Sequence, residues 1–101
     1  MHYTPEQIKE KINYLQVDEI MERFNFKQVH EYMVATNWEW RGKVPDLNEI
    51  KTSAYSLLMR AVDEFYKTQQ PYGNIGSGGF MVYYFPWGME LVFKLEYSST
   101  W

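Results

Sequence analysis

From Asp46 onward the chain carries the one pattern that most constrains its fold. Leu47, Ile50, Ala54, Leu57, Leu58, Ala61, Val62 and Phe65 recur every three or four residues, with polar side chains between them. That spacing places them on one side of an α-helix running from Leu47 to Tyr66. Asp46 supplies the N-cap, and Glu49, three residues on, completes a capping box. Burying such a stripe is worth about 10 kcal/mol gross, at roughly 1.5–3 kcal/mol per large side chain. It needs a second layer to be buried against.

That layer follows in the chain. Phe80-Met81-Val82-Tyr83-Tyr84-Phe85 is built of strand formers. After Pro86-Trp87-Gly88, read as the turn, Met89, Leu91, Phe93, Leu95 and Tyr97 alternate with Glu90, Val92, Lys94 and Glu96. The two segments predict an antiparallel hairpin. Trp38-Glu39-Trp40 also alternates with period two and reads as a short strand with both indoles on one face, followed by an Arg41-Gly42-Lys43 turn. Residues 68–79, where Gly and Pro concentrate, read as a loop.

Upstream, Thr4, Pro5 and Gln7 form a helix start, and Ile8, Ile12 and Leu15 recur at helical spacing. Val17, Ile20, Met21 and Phe24 make a second apolar series. Residues 5–23 are one helix or two, with Asp18 as the cap if there is a break. Asn25 caps a helix over Phe26–Thr36 that turns Phe26, Val29 and Met33 to one side and ends at Asn37. The expected fold is α+β: a three-stranded antiparallel sheet, short strand plus C-terminal hairpin, with helices packed on one face. Residues 1–101 form a single domain, with a core over 25–97 and the helical segment 4–24 as an elaboration.

Composition narrows the function classes. Ten Lys and Arg stand against 13 Asp and Glu, a net charge of −3. A reader of duplex nucleic acid normally shows a basic excess, so none is expected as a partner. There is no cysteine, which excludes disulfides and thiolate chemistry and suits a reducing cytoplasm. The first residues carry no apolar signal region, and no apolar run approaches the length that spans a bilayer, so no membrane is expected. His2 and His30 are the only histidines and form no metal-ligand pattern. Gly73–Gly79 lacks the Gly-Lys-Ser/Thr ending of a phosphate loop and precedes a strand rather than a helix. No serine has a nucleophile context. The chain reads as non-enzymatic, with no catalytic residues, no metal and no cofactor.

Aromatic side chains make up 19% of the chain, more than a core of this size can enclose, so some are expected at the surface, where Tyr and Trp mark binding sites. Two places stand out. Trp38 and Trp40 beside Arg41 and Lys43 could stack a base and neutralise a phosphate. Packing of both under the long helix is the favoured alternative, and they could also divide, one buried and one exposed. In the hairpin, Met81, Tyr83 and Phe85 share the face opposite Phe80, Val82 and Tyr84. Both faces are apolar, and one needs cover, from the N-terminal helix or from another subunit. A homo-oligomer is therefore expected, with Met81, Tyr83, Phe85 and Trp87 as interface residues.

Phe24-Asn25-Phe26-Lys27-Gln28-Val29-His30, Met33, Asn37-Trp38-Glu39-Trp40, Val44-Pro45, the long helix, Ser77-Gly78-Gly79-Phe80 and Glu90-Leu91-Val92-Phe93 together resemble a family of small tailed-phage proteins. Its pattern is Asn-Trp-x-Trp, then Ser-Gly-Gly-Phe, then Leu-x-Phe, and the likeness covers residues 24–97. The resemblance implies an accessory protein in the host cytoplasm that blunts host defence. It would do so by sequestering a nucleotide-like small molecule or by inhibiting a defence protein. It brings no catalytic residues.

Overall fold

The computed structural model describes residues 14–88 and 90–98. The fold is α+β, as expected. Helices α1 (Tyr14–Arg23), α2 (Phe26–Thr36) and α3 (Leu47–Thr68) precede strands β1 (Gly73–Ser77), β2 (Phe80–Trp87) and β3 (Glu90–Tyr97). The strands form one antiparallel sheet in the order β1-β2-β3. The helix start at Thr4, with Ile8 and Ile12, and the strand position Met89 lie outside the described residues.

Local chemistry sets the helix ends. Asp18 lies inside α1 and caps nothing. The Asn25 side chain accepts from the Gln28 N–H at 3.1 Å and starts α2. That helix stops at Asn37, whose φ of 53° is left-handed. The Asn37 N–H returns to Val34 and the Trp38 N–H to Met33, a Schellman motif. At α3 the capping box is complete: Glu49 N–H donates to Asp46 Oδ1 at 2.8 Å and Asp46 N–H to Glu49 Oε1 at 3.3 Å. The helix continues two residues past Tyr66, to Thr68, and is capped by Gln69 at φ 56°.

One core joins these elements. Ile50, Ala54, Leu57, Leu58, Ala61, Val62 and Phe65 of α3 pack with Phe26, Val29 and Met33 of α2. The sheet contributes Phe80, Val82 and Tyr84 from β2 and Leu91, Phe93 and Leu95 from β3. The helix α1 enters through Val17, which is almost wholly buried. Its Gln16 side chain also lies against the outer edge of β3, donating to Leu91 C=O at 2.6 Å and accepting from Phe93 N–H at 3.0 Å. One side-chain amide thus stands in for a neighbouring strand.

Which residues supply the first strand differs from the sequence reading. Trp38-Glu39-Trp40 does not join the sheet. Trp40 pairs only with Lys43 across a tight turn, with Arg41 at φ 57° and Gly42 at φ 84°. The segment closes on itself before Pro45 and does not pair with β2. The strand is instead Gly73–Ser77, within the stretch read as a loop. Gly73 lies where a rigid ring crosses the strand, and Gly76 under a flexible side chain. A Cβ at Gly73 would run into the Tyr84 ring, and one at Gly76 into the end of Met81. Gly78 and Gly79, at φ 60° and 89°, then turn the chain in two residues. Pro86 and Trp87, read as a turn, extend β2 opposite Leu91 and Glu90. The proline is tolerated because its ring nitrogen faces the side on which β1 has already ended.

Candidate functional site

The turn after α2 brings Trp38 and Trp40 together, but not as a matched pair. Trp38 is half-buried against the core and Trp40 is 50% exposed. Both line a cavity of about 150 Å³ with Met33, Pro45, Ile50 and Phe80. That is below the roughly 300–1,000 Å³ of a typical small-molecule pocket. The two cations are already engaged. The Arg41 guanidinium carbon lies 4.5 Å from the centroid of the Trp40 ring, and Lys43 Nζ lies 3.0 Å from Glu49 Oε1. A more open groove on the other side of Trp40 is lined by Asp46, Glu49, Thr52, Ser53, Ser56 and Arg60 among others. Two carboxylates in that lining disfavour a phosphate.

The hairpin presents a different surface. Alternation along β2 sends Phe80, Val82 and Tyr84 into the core and Met81, Tyr83, Phe85 and Trp87 to the opposite side. None of those four belongs to the core cluster. Trp87 is 74% exposed; Met81, Tyr83 and Phe85 are half-buried. Across the ladder, Met81 faces Glu96, Tyr83 faces Lys94 and Phe85 faces Val92. On the other flank Tyr83 faces Asn74 and Met81 faces Gly76. The Lys94 ammonium sits 5.9 Å from the Phe85 ring centroid.

Tyr83 is hydrogen-bonded to the Glu96 carboxylate, and its hydroxyl is held above the usual tyrosine pKa. Loss of water around the ring is the larger cause; the Glu96 charge and hydrogen bond add to it. The result is an aromatic and thioether column bordered by Lys94, Glu96 and Asn74, an apolar centre within a polar rim.

All eight sequence-derived site residues thus fall on two separate surfaces. Val92 extends the second one. It was legible as an outward position of β3 but not as part of a site, because its neighbour Phe85 is fixed only by the register. The Gln16 contact with the β3 edge carried no signal at all; a glutamine on a helix is ordinary until the strand beside it is known. Among the described residues, no helix is long and apolar enough to cross a membrane. Comparison with protein-family models, curated proteins and solved structures finds no match.

Proposed function

We propose that this chain is a non-enzymatic binding module that docks another protein on the open face of its sheet, through Met81, Tyr83, Phe85 and Trp87. The observation that carries the reading is the exclusion of this whole column from the core, ending in a Trp with 74% of its surface exposed. Aromatic residues and Met are the residue types enriched in the centres of interfaces, and Trp and Tyr dominate their binding energy. In the phage setting implied by the resemblance, the partner is a host defence protein and the chain its inhibitor or adaptor.

A nucleotide-like ligand at Trp38, Trp40, Arg41 and Lys43 is the second reading, favoured by Arg41 stacked on a half-exposed indole. It ranks lower because the cavity is small and Lys43 is paired with Glu49.

Affinity capture from host lysate with wild-type protein and two variants tests the order. A partner retained by wild type and by Arg41→Ala, and weakened about thirtyfold by Trp87→Ala, is the expected result, as for a hot-spot residue worth about 2 kcal/mol. Binding indifferent to Trp87→Ala, or recovery of no partner at all, would remove this reading.

A further inference from the structure

We propose that two copies of this chain join edge to edge along β3, antiparallel about a two-fold axis through Leu95, to make one continuous six-stranded sheet. This does not rest on the docking reading above.

The hydrogen-bond directions come first. In an antiparallel ladder each residue aims its N–H and C=O to the same side, and successive residues alternate. The Ser98 N–H reaches Gly79 C=O, toward β2, while the Phe93 N–H reaches Gln16, away from it. The backbone N–H and C=O groups of Phe93, Leu95 and Tyr97 therefore all face the free edge of the sheet, away from β2. Gln16 takes the Phe93 N–H and the Leu91 C=O. The Phe93 C=O, both groups of Leu95 and the Tyr97 N–H meet no partner among the described residues. The Leu95 side chain is buried in the core, while its backbone groups lie on the outer edge of the sheet, where an unpaired row is a template for another strand. Beside this stretch lie two adjoining grooves of about 730 and 420 Å³. Both are lined by Phe24, Leu95 and Glu96; the larger is walled by α2 and the smaller by α1. There is room at this edge for a strand.

Charge identifies the strand that fits. Lys94 and Glu96 are exposed on the open face, one on either side of Leu95. With the axis through Leu95, Lys94 stands directly opposite the partner's Glu96, and Glu96 opposite the partner's Lys94. An axis at residue 96 would oppose two glutamates, and one at 94 two lysines, arrangements that cross-strand pairing disfavours. The Leu95 pair exchanges two backbone hydrogen bonds, and each Tyr97 N–H reaches the Phe93 C=O across the axis. A facing pair in an antiparallel ladder exchanges both bonds, so the partner's Tyr97 C=O takes the Phe93 N–H in place of Gln16 Oε1, and the isologous symmetry is that of most small homodimers.

Sedimentation equilibrium of the full chain and its charge variants tests the pairing. A dimer is expected at tens of micromolar. Lys94→Glu and Glu96→Lys should each weaken it about tenfold, because one substitution turns both attractive pairs repulsive. The double variant K94E/E96K should return to within about threefold of wild type. Hydrogen exchange at the Leu95 and Tyr97 amides should slow as concentration rises. A monomer up to millimolar concentration would overturn the proposal, as would a dimer indifferent to single reversal or a double variant that fails to recover. A dimer lost in Trp87→Ala but not in the reversals would place self-association on the open face, overturning the edge pairing and leaving the docking surface in place.

Discussion

The two faces of β2 are made of similar side chains and meet opposite fates. Phe80, Val82 and Tyr84 are buried under the helices, whereas Met81, Tyr83, Phe85 and Trp87 stay outside the core. Composition does not separate them. What separates them is supply: α3 has a single apolar stripe, α1 and α2 pack in the same layer, and one helical layer covers one sheet face. The covered face is also the one with interlocking geometry. Tyr84 lies edge-on to Phe65 at 6.0 Å, close to Phe93 at 5.4 Å, and over Gly73. The lesson is that an apolar strand face states a need for cover without saying who provides it.

Truncation should separate the faces most sharply. Tyr84→Ala removes a ring enclosed by Phe65, Phe93 and Gly73 and should cost about 3–5 kcal/mol of unfolding free energy, the range for large aromatics in cores. Phe85→Ala, one residue along on the open face, should cost less than about 1 kcal/mol. Urea titration of both variants checks this, and equal costs would break the comparison.

The glycine beneath Tyr84 gives the next effect. Gly73→Ala should destabilise by about 1–3 kcal/mol, because the added methyl meets the Tyr84 ring. In a Tyr84→Ala background the same substitution should cost only a few tenths of a kcal/mol, so the pair is strongly non-additive. Additive costs would mean that the ring does not lie where the register places it.

This pair also explains what the sequence could and could not tell. The α2 cap at Asn25, the Asn37 terminus, the Asp46–Glu49 box and the alternation of β3 depend on neighbours within a few residues, and each was legible. Gly73 is in a strand because of Tyr84, its register partner eleven residues later. Without that register, Gly-Asn-Ile-Gly-Ser carries the composition of a loop. Trp38 and Trp40 failed in the opposite sense: period-two alternation predicted a strand, but the residues after them turn the chain back onto Lys43. The hairpin column was legible as a site because it needed only alternation. The β3 edge was not, since its exposure depends on strand order and on where Gln16 lands.

Alkaline pH probes the faces more gently. Burial raises the pKa of Tyr84, with Glu64 adding to the shift and a hydrogen bond with Thr68 opposing it. Tyr83 and Tyr97 are also raised. A raised folded-state pKa means that the native protein holds these protons more tightly than the unfolded chain, whose tyrosines ionise near 10. Their contribution is therefore complete below about pH 10 and is lost as pH rises through the folded-state values. Tyr84→Phe and Tyr83→Phe should each shallow that decline in urea midpoint. Salt should reduce the Tyr83 share more, because both Tyr83 and its partner Glu96 lie on the solvent-facing side, whereas Tyr84 is buried. Midpoints that rise with pH in this range would contradict the sign.

The smallest effect on stability is expected where the effect on binding is largest. Trp87 is outside the core and mostly exposed, so Trp87→Ala should move the unfolding free energy by no more than about 0.5 kcal/mol, as for surface positions without special contacts. A large indole held in water at the end of an ordered strand adds little to the fold that carries it. If Trp87→Ala instead cost several kcal/mol, the open face would be a structural surface like its opposite, and the docking role built on the difference between them would fail. If the variant keeps wild-type stability and loses its partner, the two faces of one strand have divided folding from recognition between them.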